Sequence, residues 1–370
     1  MFMTPRERLL STLNFEPLDR PFRMESLGFW NETVDRWHKE GLPADINNQI
    51  AIHVYNENDM MAPVFLGAHE HPGFDPLFED KIIEKNEKYI IKRDMTGSVV
   101  KIFTDGSSTP PTWLDYPVKD MKSWGDVKSR LEPGTAGRIA PYRPMIDLAI
   151  SQPWPLNVYI PGLFGTHRHL LGFQNLMLAY YEQPELLHEI ARQWVKLWKG
   201  EIERIAEKRV PDLLQFWEDM CYRNGPMIGP KTFGEFMSPY YKELVSFFRN
   251  ELKIPGVSVD TDGNLTVLIP KFVEAGINCL MPFEVNAGMD VLRVREQWPT
   301  EFVIWGGINK LELAKDREAI KAEVMRVVPP MLEKRGYVPS IDHAVQPEVP
   351  FDNWKYFIEL VRGVGEQCCK

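Results

Sequence analysis

Carboxylates and an imidazole recur in this sequence where apolar runs break off. Ile254-Pro255-Gly256-Val257-Ser258-Val259 stops at Asp260-Thr261-Asp262-Gly263-Asn264, and Asn278-Cys279-Leu280-Met281-Pro282-Phe283 stops at Glu284. Tyr337-Val338-Pro339-Ser340-Ile341 stops at Asp342-His343, and Asp212 to Trp217 leads into Glu218-Asp219. Acids and a His gathered from several strand ends could hold a divalent cation or pass protons. Asp260, Asp262, Glu284 and His343 are the candidate metal ligands, Asp260 and Asp262 sharing one side of an extended chain. Asp262, Glu284, His343 and Glu218 are the candidate catalytic groups. Plainer roles stand beside these: an Asx turn at Asp262-Gly263-Asn264, a loop hydrogen bond for His343, capping of backbone amides by Asp342.

The elements that would position these groups are parallel strands. A β-branched run that ends in charge or glycine reads as a buried parallel strand. Phe302-Val303-Ile304-Trp305, ending at Gly306-Gly307, is a further case, as is Leu156 to Ile160. With helical patterns between them, the runs predict a (β/α)8 TIM barrel with its chemistry on the carboxyl rim, in a single domain over 1–370. Thr4-Pro5 opens a short N-terminal helix, Phe22–Met24 is a short strand ending at Glu25-Ser26, and Trp30 to His38 is helical. The period changes between Lys81 and Phe103, where two strands flank Met95-Thr96-Gly97-Ser98. This stretch predicts a β-hairpin insertion on the rim, followed by a Pro-rich loop at Thr109-Pro110-Pro111.

Composition narrows the function. The 370 residues carry a net charge of -9 with no basic run, so nucleic acid is not an expected partner. No apolar stretch approaches the ~20 residues of a membrane span. The N-terminus lacks the apolar core of a signal peptide, which predicts a cytoplasmic protein. The four cysteines show no disulfide spacing.

Aromatic and Met residues suggest a flat apolar pocket. Met24, Phe29 and Trp30 follow the first strand, Phe164 and the loop histidine His167 follow Leu156–Ile160, and Trp217 and Tyr222 flank Glu218. These seven are the candidate substrate contacts. Core packing is the competing role for them, and is the expected one for Trp194, Leu197 and Trp198 at helical spacing.

The opening Thr4-Pro5-Arg6-Glu7-Arg8 with Leu18-Asp19-Arg20-Pro21, and the closing Gly336-Tyr337-Val338-Pro339-Ser340-Ile341-Asp342-His343, resemble the uroporphyrinogen decarboxylase-like superfamily. The resemblance covers essentially the whole chain and implies a distorted (β/α)8 barrel. It implies one of two chemistries: cofactor-free decarboxylation of a tetrapyrrole, or methyl transfer to a corrinoid protein, often with zinc. The decarboxylase branch carries an Arg-rich segment and a catalytic Asp after the first strand. Here that stretch is Met24-Glu25-Ser26-Leu27-Gly28-Phe29-Trp30. The thiol-activating methyltransferases carry a His-X-Cys pair and a late Cys, where this chain has Asp260-Thr261-Asp262 and Ile341-Asp342-His343-Ala344. Harder ligands leave a more Lewis-acidic metal suited to oxygen. The closest pattern is therefore the O-demethylating methyltransferase, with zinc in the barrel, cob(I)alamin on a partner corrinoid protein and a methoxylated small molecule, typically an aromatic ether, as donor. The alternative is a decarboxylase of a tetrapyrrole or aromatic acid. A homodimer is compatible with either.

Overall fold

The computed structural model describes residues 2–67, 72–104 and 111–369. Seven parallel strands form one continuous sheet in chain order: β1 Ala62–Phe65, β2 Leu156–Pro161, β3 Leu213–Trp217, β4 Gly256–Asp260, β5 Cys279–Met281, β6 Val303–Trp305 and β7 Tyr337–Val338. Alternation along the strands divides the core in two. Leu214, Phe216, Val257, Val259, Leu280 and Ile304 pack under the helices, including Trp194, Leu197 and Trp198 of the helix Pro184–Ala206. Leu213, Cys279, Met281, Val303, Trp305 and Val338 meet on the other face with Leu9, Leu13 and Phe22. The N-terminal helix Pro5–Leu13 thus plugs the barrel interior. Thr4 and Glu7 start it with a capping box.

The predicted strand at Phe22–Met24 makes no ladder, and its place is taken by an extended segment held largely by side chains. On one side Arg23 N donates to Asp59 Oδ2 at 2.9 Å, and Asp59 N to the Arg23 carbonyl at 2.8 Å. On the other, Trp305 Nε1 donates to the Met24 carbonyl at 3.1 Å, and Ile341 N to Glu25 Oε2 at 3.1 Å. The Glu25 carboxyl therefore takes a backbone N–H that a neighbouring strand would otherwise take. Pro21, lacking an N–H, begins the segment. The fold is that of the (β/α)8 barrel, with seven ladder-bonded strands and this segment between β7 and β1.

The predicted hairpin is present and larger than expected. Lys81–Lys85, Tyr89–Arg93, Val99–Phe103 and Thr112–Asp115 form a four-stranded antiparallel sheet. Its central turn is closed by Asp94 Oδ1, which accepts from Thr96 N and Ser98 N, with Gly97 at a φ of +83°. Thr109 and Pro110 of the Pro-rich loop lie outside the described residues. The segment Trp30 to His38 is helical as expected, over Asn31–Lys39. His167-Arg168-His169, expected in a loop, lies on the helix Leu163–Leu171 that follows β2 directly. Among the described residues no helix is long and apolar enough to cross a membrane.

Asp59 holds this closure together: fully buried, it receives Arg8 Nη1 at 2.8 Å and Arg20 Nη1 at 2.6 Å besides the Arg23 amide. Removing it takes the carboxylate from the partly buried Arg20 and one of two from the buried Arg8, which keeps Asp19, and leaves the Arg23 amide without its acceptor. Asp59→Ala should therefore cost about 3–5 kcal/mol in chemical denaturation, and a loss below about 1 kcal/mol would show that the closure does not depend on it.

Candidate active site

Four strand ends are tied together by carboxylates gripping backbone amides. After β4 the chain turns at Gly263, whose φ is +77° and where a Cβ would meet Tyr222 backbone atoms at 2.6 Å. The turn aims the Gly263 N–H at Glu284 Oε2, 2.9 Å away, after β5. Asp342, after β7, accepts from Val285 N at 2.8 Å and Lys310 N at 2.9 Å. Asp342 is fully buried, which pushes its pKa up. Its two oxygens serve the fold, as the capping alternative expected.

Within this frame, one ligand atom each from Asp262, Glu284 and His343 lie within 4.8 Å of one another. His343 Nε2 is 3.3 Å from Asp262 Oδ2, and His343 Nδ1 is buried without a hydrogen-bond partner. That bond to Asp262 is the main reason the His343 pKa rises above its ordinary 6.5. Lys310 Nζ donates to Glu284 Oε1 at 3.0 Å, its side chain only 8% exposed. Two carboxylates, an imidazole and an orphaned ring nitrogen fit a zinc ion held through three protein ligands, the usual catalytic arrangement. The Lys310 ammonium is the cation such an ion would compete with at Glu284.

Asp260, expected among the ligands, stands outside this group. It is fully buried, with Gln215 donating to it. Burial first, then the charges of Asp262 and Asp219, push its pKa far up. It lines two adjoining cavities. The smaller, about 140 Å3, is bounded by Leu27, Trp217, Asp219, Asp260, Asp262, His343 and Ala344. The larger, about 370 Å3, shares Leu27, Trp217 and Asp260 and is walled mainly by Met24, Met60, Met61, Phe65 and Tyr159. Phe65 and Tyr159 are stacked at 4.4 Å between centroids.

Several expected site residues are elsewhere. Glu218 is buried behind β3, where it accepts from Phe164 N at 3.2 Å, Gly165 N at 3.0 Å and the Tyr241 hydroxyl. It caps the first turn of the helix Leu163–Leu171, and burial pushes its pKa up to about 7. Phe164 is fully buried beneath the same helix, and His167 meets the Leu187 carbonyl at 3.1 Å. Phe29 packs against Trp37 and Trp354, Trp30 is largely exposed, and Tyr222 backs the Gly263 turn. None of these six lines either cavity; Met24 and Trp217 do. Cys221 and Cys279 are free and buried outside the triad, each pushed up to about 12.

The residues missed are Glu25, Phe65, Tyr159, Gln215 and Lys310. Gln215 carried a legible signal, a polar residue on the inward side of an apolar strand that also brings Trp217 inward. Lys310, the first residue of the short helix Lys310–Leu313 after β6, carried none.

The family description "Uroporphyrinogen decarboxylase (URO-D)" matches residues 109–364. The chain belongs to the URO-D family. Curated relatives include uroporphyrinogen decarboxylases of Campylobacter jejuni, 23% identical over 219 residues, a match spanning 57% of this chain and 57% of theirs. That of Pseudomonas fluorescens is 23% identical, over 73% of this chain and 70% of its own. A methyltransferase from Methanosarcina mazei has the same fold over 98% of both chains, with a TM-score of 0.64 at 15% identity. The URO-D fold therefore extends over the whole barrel and not only the family-matched segment.

The raised His343 pKa fixes a pH dependence in metal-free protein. A raised value means that the charged pair with Asp262 stabilises the fold below pH 6.5, and that this is lost as pH rises through the raised value. Both groups are partly exposed, so the contribution is about 1 kcal/mol or less. Asp262→Asn should lower stability in acid but not in alkali and bring the His343 titration, followed by NMR, downward. An unchanged titration would separate the two side chains.

Proposed function

We propose that this protein transfers a methyl group from a methoxylated small molecule, a methoxyarene, to the cob(I)alamin of a partner corrinoid protein. The observation that carries the reading is the adjacency of the Asp262, Glu284 and His343 cluster to an aromatic, Met-lined cavity across the wall formed by Leu27, Trp217 and Asp260. The shared fold with a methyltransferase agrees with it.

An aryl ether is a poor electrophile unless its oxygen is coordinated or protonated as the methyl leaves. Zinc held by Asp262, Glu284 and His343 would supply a Lewis acid at that oxygen. The chain's own residues do the rest. Tyr159, Phe65 and Trp217 hold the ring and exclude water, which strengthens every polar contact to it. Asp260, at the junction of the two cavities and with its pKa raised by burial, can hydrogen-bond a substrate group in either. Glu284 is drawn toward the cluster by Gly263 N and restrained by Lys310. Cys221 and Cys279, buried and protonated, offer no thiolate, so the donor set favours oxygen over sulfur.

Decarboxylation of a tetrapyrrole or aromatic acid is the second reading, favoured by the names of the curated relatives. Against it, among the described residues neither cavity is lined by Lys or Arg, the side chains that best hold carboxylates.

Mixing the zinc-loaded protein with a reduced corrinoid protein and a panel of methoxyarenes should produce methyl-cobalt, followed by its absorbance. Glu284→Ala and His343→Ala should each slow it by roughly 100-fold or more and lower bound metal, while Cys221→Ser and Cys279→Ser keep both. Turnover of a carboxylated substrate with release of carbon dioxide and no need for corrinoid would establish the second reading instead.

A further inference from the structure

Glu25 is a buried acid that the reaction above does not use. It lies in the wall of the larger cavity, 6% exposed, at the end of the segment that fills the gap between β7 and β1. Both of its hydrogen bonds from the protein reach one oxygen: Ser340 Oγ donates to Oε2 at 2.6 Å and Ile341 N at 3.1 Å. No ion pair reaches it among the described residues. Burial without a counter-charge pushes it up to about 7.

The other polar groups of this wall bring no cation to it. Asp260 is a second buried acid there, with Gln215 donating to it. His53, against Asn58 at 3.0 Å, is pushed down to about 4 by burial and stays neutral. Gln215, Gln49 and Ser26 also line it, and no Lys or Arg does among the described residues. A carboxylate entering here would lose its hydration and meet acids instead of cations. A flat, uncharged ring would meet stacked aromatic rings and Met side chains. The volume of about 370 Å3 lies at the lower end of the range for small-molecule pockets and suits a single substituted ring.

We propose that the larger cavity binds one uncharged aromatic ring whose hydroxyl group docks on the Glu25 carboxyl held by Ser340, and that it rejects rings bearing a carboxylate. A carboxylic acid can both donate to and accept from a hydroxyl, and the bonds to Oε2 hold it in place. The inference rests on the methyltransferase reading only in giving that ring the role of methyl donor.

The test uses the full-length protein without corrinoid and probes that carry no methoxy group: phenol, toluene, benzoate and phenyltrimethylammonium, titrated by calorimetry. Wild type should bind phenol at least about tenfold more tightly than benzoate, since the latter must bury an unpaired charge. Glu25→Leu should shift the phenol-to-toluene affinity ratio by about fivefold or more against phenol, the worth of one hydrogen bond, and leave toluene bound. Glu25→Gln, which still donates and accepts, should keep most of the preference. Ser340→Ala should weaken it part-way, and gives the answer where Glu25→Leu does not fold. Benzoate binding as well as phenol, phenyltrimethylammonium binding more tightly than either, or a ratio unmoved by Glu25→Leu and Ser340→Ala would overturn the proposal. Because nothing is transferred, a protein that binds phenol in this way and demethylates nothing refutes the reaction and leaves the binding site standing.

Discussion

The rim of this barrel depends on the Glu284 carboxylate, which takes the Gly263 N–H on one oxygen and the Lys310 ammonium on the other. Asp219, Asp260, Asp262, Glu284 and Asp342 crowd the same end of the sheet, and like charges this close cannot all remain ionised without donors between them. The structure offsets the repulsion in three ways. Lys310 and Arg168 supply positive charge at Glu284 and Asp219, backbone amides of residues 263, 285 and 310 supply fixed dipoles, and burial raises the pKa of Asp260 and Asp342. What is left over is Asp262 with His343, partly exposed and facing a cavity. A divalent ion would relieve that remaining excess.

The acid at the end of a strand has two fates here, and the direction of the side chain decides between them. Gln215, Trp217, Ser258 and Asp260 share the inward side of β3 and β4, and Gln215, Trp217 and Asp260 border the cavities. Glu218, one step further, falls on the helix-facing side and caps a helix instead. The same alternation separates the two halves of the core. Burial thus follows from parity along a strand as much as from residue type.

Much of this was legible. The strand runs ending at Asp262, Glu284 and His343 carried both the barrel and the cluster, because buried parallel strands read as continuous apolar runs and their carboxyl ends are where charge must emerge. Parity applied to Gln215 and Trp217 would also have turned Glu218 away. The helix holding His167 was hidden because Gly162 to Leu171 mixes glycine and histidine with no clear stripe, and its start is set by Glu218, distant in sequence. Phe29 and Trp30 were ambiguous in type, since an aromatic residue near a barrel mouth serves a pocket or a core equally well. Phe22–Met24 kept its place but not its ladder: side chains from Asp59, Trp305 and Glu25 replaced backbone pairing, which no local pattern encodes.

The URO-D family scaffold thus presents an aromatic, Met-lined chamber, with no Lys or Arg in its lining among the described residues, beside a compact acidic cluster with one imidazole. The most direct test of the account is anomalous scattering at the zinc absorption edge from crystals grown with zinc. The account predicts one strong peak bounded by Asp262, Glu284 and His343, with Lys310 moved off Glu284. No peak there, with Lys310 still paired to Glu284 and zinc bound elsewhere or not at all, would contradict it.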